Sequence, residues 1–96
     1  MIQFHHLAFH ELRLARSWYQ RRSPEAAERF LFQVNQSLDR LHVDPESQAQ
    51  LGRGYRFVKV KRFPYSLIFQ LQSGDEVLVV AVAHTRRRTG YWSRRK

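Results

Sequence analysis

Residues 55–92, YRFVKVKRFPYSLIFQLQSGDEVLVVAVAHTRRRTGYW, read as three consecutive strands followed by a cationic, aromatic tail. In the first, Tyr55 to Arg62, cations alternate with apolar residues. Lys59 and Lys61 then share one face, and Arg56 and Arg62 share the other with Val58 and Val60. In the second, Tyr65 to Leu71, one face carries Tyr65, Leu67, Phe69 and Leu71. The third, Val77 to Ala83, is an unbroken apolar run rich in β-branched residues, as expected of a strand covered on both sides. A corner at Phe63-Pro64 joins the first two, and Ser73-Gly74-Asp75 turns the last hairpin. Where the apolar run stops come His84, then Arg86, Arg87 and Arg88, then Tyr91 and Trp92. A buried strand that delivers this cluster to the edge of a sheet implies a platform for something anionic.

Working outward from that stretch, Ile2 to His5 alternates as a short strand. Ala8, Leu12, Ala15 and Trp18 or Tyr19 recur at helical spacing and give one apolar stripe. This helix is expected to end near Gln20, because Arg21-Arg22-Ser23-Pro24 is a break. Ser23 as N-cap and Pro24 at the first helical position start a second helix. Glu25 and Glu28 sit toward the end of its dipole that favours acids. Ala27, Phe30, Leu31, Val34, Leu38 and Leu41 hold its apolar face until Asp44-Pro45 stops it. Two helices joined so tightly form an antiparallel hairpin whose stripes must lie on the sheet. Val43 to Gly54 reads as a polar loop. The expected fold is α+β: an N-terminal strand, an α-helical hairpin and a small antiparallel sheet, in the order β-α-α-β-β-β.

A chain of 96 residues makes one domain, here 1–96. A hydrophobic fraction of 43% with seven Phe, four Tyr and two Trp supports a packed core over a disordered basic tail. There is no Cys, which excludes disulfides and thiolate metal sites. The N-terminus shows no signal-peptide pattern, and Val77 to Ala83 is far shorter than the ~20 residues of a bilayer span. The expectation is a soluble, cytoplasmic protein that makes no membrane contact. The net charge is +9, and it is unevenly placed. Up to Gly52, Arg13, Arg16, Arg21, Arg22, Arg29 and Arg40 are matched by Glu11, Glu25, Glu28, Glu46, Asp39 and Asp44. From Arg53 onward only Asp75 and Glu76 oppose the cations. The excess is a directed field suited to nucleic acid or an acidic protein.

His10-Glu11 opens like a zinc-protease motif, but Leu14 stands where the second histidine belongs. His6 and His10 lie one helical turn apart without a third ligand, the pattern of solvated histidines, so no metal is expected and no other cofactor is implied. No Ser-His-Asp or Cys-His spacing and no glycine-rich phosphate loop is present. Lys59, Lys61, Arg62, Arg86, Arg87 and Arg88 form the candidate target-binding set, although lysines on an exposed strand also discourage edge pairing. His84 is either a hydrogen-bonded rim residue or a proton donor and acceptor. Tyr91 and Trp92 either stack bases or fasten the tail to the core. Ser93-Arg94-Arg95-Lys96 reads as a frayed basic end.

Several of these pieces recur together in a known order. Phe4-His5 leads into Glu11-Leu12, followed by Trp18-Tyr19, Ser23-Pro24 and Glu28-Arg29-Phe30-Leu31. Arg62-Phe63-Pro64-Tyr65-Ser66, Val80-Ala81-Val82-Ala83-His84, the arginine run and Tyr91-Trp92 complete the set. In this the chain resembles the RelE/ParE superfamily of type II toxin–antitoxin toxins, particularly its ParE-like plasmid-stabilisation branch, over nearly its whole length. That branch usually has proline where His6 and Thr89 stand. The resemblance implies the fold given above and a cognate acidic antitoxin that wraps the toxin in a hetero-oligomer. RelE-like members cut mRNA on the ribosome without a metal. Carried over, Lys59 and Lys61 would supply their strand cations, Arg86 or Arg87 their late arginine, and Tyr91 or His84 the remaining group. Ser66, however, stands where those members have an arginine. Losing one such donor costs ~10²–10³ in rate, unless Arg62 is recruited from the neighbouring strand. ParE-like members interfere with DNA gyrase and need no catalytic constellation. Gyrase interference is thus the leading expectation. A metal-independent mRNA interferase comes second, and a non-toxic basic nucleic-acid-binding module third.

Overall fold

In the computed structural model, which describes residues 1–95, the chain runs β1 (Ile2–Phe4), α1 (His6–Arg22), α2 (Pro24–Val43), β2 (Ala49–Gly52), β3 (Tyr55–Val60), β4 (Tyr65–Leu71) and β5 (Val77–His84). A single 3-10 turn, Pro45–Ser47, precedes β2. The strands form one sheet in the order β1-β5-β4-β3-β2, with β1 parallel to β5 and every other pair antiparallel. The α+β order read from the sequence is present, with two corrections. The segment expected to be a loop contains an edge strand, β2. The strand expected over Tyr55 to Arg62 ends at Val60, so Lys61 and Arg62 lie in the β3–β4 turn, where Arg62 takes the left-handed backbone at φ 71°. Lys61 therefore does not share a strand face with Lys59, nor Arg62 with Arg56.

The apolar run of β5 explains the layering. Val77, Val79 and Val82 face the helices, where they meet Ala8, Ala15, Phe30, Val34 and Leu41, together with Val58, Val60, Leu67 and Phe69 from the neighbouring strands. Val80, Ala81 and Ala83 face the opposite side with Ile68. Two successive residues share that side because Val80 is an extra residue, a bulge: Ile68 pairs with Ala81, and Phe69 already pairs with Val79. This second face has no helix. Trp92, 5% exposed, covers it together with Tyr55, Phe57 and Tyr91. Of the two roles open to Tyr91 and Trp92, fastening the tail is the one seen.

α1 ends at Arg22, two residues past the expected Gln20, and Ser23 serves both helices. Its N–H donates to the Tyr19 carbonyl at 2.8 Å, and its hydroxyl accepts from the Ala26 N–H at 3.3 Å, capping α2. Of the two candidates for the α1 stripe, Tyr19 packs on the core, whereas Trp18 stays 44% exposed. The segment leading into β2 is held by Arg56 of β3, which donates to the carbonyls of Glu46 (2.9 Å) and Gln48 (3.0 Å). Ser37 and Arg40 likewise donate to the Lys59 carbonyl and fasten α2 to β3. Among the described residues no helix is long and apolar enough to cross a membrane.

Phe30 is fully buried at the hub of an aromatic cluster, with ring centroids 5.1 Å from Tyr19, 5.3 Å from Phe63 and 5.5 Å from Tyr65. Phe30→Ala should lower the unfolding free energy by about 3–5 kcal/mol, from lost apolar burial plus the cavity left behind. Urea denaturation of the pure variant measures it.

Candidate functional site

Register brings the cations to one end of the sheet. Val60 pairs with Tyr65, and Tyr65 with His84, so these three form its last row. The β3–β4 turn with Lys61 and Arg62, and the loop with Arg86, Arg87 and Arg88, both begin beyond that row. The Thr85 N–H donates to the Pro64 carbonyl at 2.9 Å and ties the loop to the turn. α1 runs alongside β5 and ends here as well, with Arg21 and Arg22 in its last turn, where cations complement the helix dipole. At the opposite end, Asp44, Glu46, Asp75 and Glu76 line a common groove with Met1, whose ammonium lies 3.5 Å from Glu76. The arginine loop thus stands at the opposite end of the sheet from four of the acids, while Glu25 and Glu28 lie near Arg62.

Beside the arginine loop a cleft of about 390 Å³ opens between α1 and the ends of β4 and β5, lined by Leu14, Ala15, Trp18, Tyr19, Tyr65, His84, Arg87 and Tyr91, with Glu11 deeper along α1. His84 is half-buried; its ring meets Tyr65 edge-on at 5.1 Å, and its Nδ1 accepts the Arg86 N–H at 3.0 Å. That hydrogen bond leaves Nε2 as the nitrogen open to other partners and shapes the start of the arginine loop. The Arg87 guanidinium lies 3.9 Å above the Tyr91 ring, a cation–π contact. Arg87 also reaches a smaller hollow of about 160 Å³ on the outer sheet face, with Ser66, His84, Thr85 and Trp92.

Behind Tyr91 lies the most buried ion pair among the described residues. Glu11 on α1 receives both arms of Arg95, each at 2.9 Å, with the two side chains 14% and 13% exposed. Glu11 also accepts the Tyr91 hydroxyl at 2.9 Å and the Val82 N–H at 3.0 Å, while Arg95 donates to the Val80 carbonyl at 2.9 Å. The reason is at the sheet edge. β1 leaves β5 after Val79, whose carbonyl takes the His5 N–H. The next outward groups of β5 would otherwise be unpaired, and unpaired buried backbone groups are costly. Burial pushes the Glu11 carboxyl up, but hydrogen bonds from Arg95, Val82 and Tyr91 outweigh it and hold the group below its ordinary value. Burial, followed by the bond to Glu11, raises the Tyr91 phenol well above its ordinary range.

The candidate residues thus separate into three places. His84, Arg87 and Tyr91 share the cleft, with Arg86 and Arg88 exposed beside it. Lys59 is exposed on the outer face. Lys61 and Arg62 line a groove against α2 with Gln33, Gln36 and Arg40, so Arg62 stands apart from His84 and Arg87. The basic end expected to be frayed is anchored instead, through Arg95; Lys96 lies outside the described residues. The Glu11–Arg95 pair escaped the sequence reading because its partners are 84 positions apart. The outward stripe of α1, Leu7, Leu14 and Trp18, was also missed. All three are exposed, and their spacing of seven and four residues was the available signal. Among the described residues no three of His, Asp and Glu gather as metal ligands.

A helical hairpin on a mixed sheet, with a cationic loop at one end, defines a small α+β domain. A family model, "ParE toxin of type II toxin-antitoxin system, parDE", matches residues 2–89, and the chain belongs to that family. Among solved structures, one titled "Chromosomal ParDE TA system from P. aeruginosa" shares the fold. It aligns with a TM-score of 0.73 at 18% identity, over 86% of this chain and 92% of that one. No curated protein matches the sequence.

The depressed Glu11 carboxyl has a consequence for stability. Its contribution should be complete above the unfolded-state value near 4.5 and vanish as pH falls through the lower folded value. In urea melts, the stability gap between wild type and Glu11→Gln should be constant above that pH and shrink below it. Arg95→Ala, which strands Glu11 and the Val80 carbonyl together, should cost about 1–3 kcal/mol near neutral pH.

Proposed function

We propose that this ParE-family toxin arrests growth by gripping an acidic surface of DNA gyrase with the Arg86–Arg88 loop, without bond-breaking chemistry of its own. The observation that carries this reading is the convergence of Arg86, Arg87 and Arg88, exposed, at the end of a sheet whose other cations are dispersed or structural. Lys61 and Arg62 leave the sheet at the same end but turn toward α2, so they add to the positive field there without joining the loop. A surface of this kind needs only shape and charge, and both favour fast, steered association with an anionic partner.

Its second partner is a cognate acidic antitoxin, in a hetero-oligomer. The outward stripe of α1 supports this. Leu7, Leu14 and Trp18 are 39%, 57% and 44% exposed along one side of the helix, and the stripe leads to Arg21, Arg22 and the cleft beside Arg87. An amphipathic acidic helix would set its apolar side chains on that stripe and its carboxylates on Arg21 and Arg22.

A second reading, metal-independent mRNA cleavage, draws on the hollow where Ser66, His84, Thr85 and Arg87 meet. Two features weigh against it. The Tyr91 hydroxyl is committed to Glu11 and its proton is held more tightly than usual, a poor start for proton transfer. Arg62 faces α2 and does not replace the arginine that Ser66 displaces.

Induction in cells separates the readings. Gyrase interference predicts an SOS response with intact transcripts, together with loss of supercoiling by purified gyrase; cleaved transcripts without that loss would replace it with the nuclease. Neither effect, with nucleic-acid binding that falls steeply with salt, would leave a basic binding module. Replacing Arg86 and Arg87 together by Ala should raise the concentration needed for half-inhibition about 100-fold, roughly 2.7 kcal/mol. Retained binding to the antitoxin and an unchanged melting transition would show that the fold is intact.

A further inference from the structure

Three adjacent guanidinium groups repel one another, and an exposed loop offers little to hold them. Among the described residues only Arg87 of the three has a side-chain partner, the ring of Tyr91. That ring is not free to turn. Its hydroxyl donates to Glu11 Oε2, an atom that Arg95 also holds, while Glu11 Oε1 accepts from the Val82 N–H in β5. An unbroken chain of directional contacts therefore runs from the β5 backbone through Glu11 and Tyr91 to Arg87.

We propose that Glu11 is a positioning residue for the target-binding loop: working through the Tyr91 ring, it sets the direction in which Arg87 is presented. The inference rests on the reading of Arg86–Arg88 as the target-contacting surface. A carboxylate suits the task because four donor groups converge on it: the Val82 N–H, the Tyr91 hydroxyl and two arms of Arg95. An amide of the same shape would turn its own donor against one of them. Without the tie, the ring keeps its edge contact with Trp92 and the Arg95 guanidinium 5.0 Å from its centre, and as its hydroxyl end shifts the stacked guanidinium moves with it. Glu11 touches no target, and its effect on function passes through Arg87 alone.

The test is a double-mutant cycle on growth arrest, read as the inducer dose that halves the growth rate. Tyr91→Phe keeps the ring and the Glu11 carboxylate and removes only the tie; Glu11→Gln keeps shape and removes charge. Each should raise the dose about tenfold, the scale of one hydrogen bond to a charged group. In an Arg87→Ala background neither should add anything. In nitrogen-15 spectra the Arg87 Nε–H signal should leave its ring-shielded position in both variants, while antitoxin binding persists. Effects that multiply with Arg87→Ala would mean that Glu11 acts only by holding the fold, and would overturn the inference. So would full potency of Glu11→Gln and Tyr91→Phe alongside a weakened Arg87→Ala, with the loop reading left standing. Full potency of Arg87→Ala would overturn the loop reading and this inference together. If Glu11→Gln does not fold, Tyr91→Phe decides alone.

Discussion

β5 sets the terms for the rest of the molecule. An extended segment that is apolar on both faces must be covered twice, and its length outruns its only outer neighbour, β1, by five residues. The first requirement places the helical hairpin on one side and the aromatic tail on the other. The second forces a decision about backbone groups at the outer edge. A longer β1 would have satisfied them and left α1 no room to cross beside Val82. The chain instead breaks into a helix at His5, whose Nδ1 accepts the Leu7 N–H at 3.1 Å, and hands the edge to side chains.

That substitution has its own logic. A partly buried carboxylate and guanidinium give a modest net gain compared with apolar residues of similar size, because both must shed water. What they supply here is valence. Glu11 offers acceptors and Arg95 a fork of donors in the arrangement that Val82 and Val80 present, and the pair draws the last turn of the chain across the sheet. A strand in that position would have left another open edge. The tail ends the sheet without extending it.

Periodicity made most of the fold legible. Helix limits followed from Ser23-Pro24 and Asp44-Pro45, because capping and the missing proline N–H act locally. β3, β4 and β5 followed from alternation and from the doubly apolar run. β2 did not, since all four of its residues are exposed and no buried face imprints a pattern on Ala49–Gly52. Its position rests on antiparallel pairing with β3 and on Arg56 reaching the Glu46 and Gln48 carbonyls just before it, contacts with no sequence signature. Of the candidate site, the sequence made the Arg86–Arg88 cluster plain, but not the separation of Lys61 and Arg62 from it. Both stretches leave the sheet at the same row, but Lys61 and Arg62 turn toward α2 and do not join Arg87. Arg56 and Arg95 look like the other cations in the sequence, yet Arg56 is spent on backbone carbonyls and Arg95 on Glu11 and the Val80 carbonyl. Charge counting cannot separate such residues from those that meet a partner.

The arginine loop at one end of the sheet and Asp44, Glu46, Asp75 and Glu76 at the other make the charge uneven as well as positive. In the field of a polyanion a body so charged experiences a torque as well as a pull. Screening confines that field to about 8 Å at physiological ionic strength, so the turning happens in the last moments of approach. The arginine loop would then lead, and the range of orientations sampled at first touch would narrow before any specific contact forms.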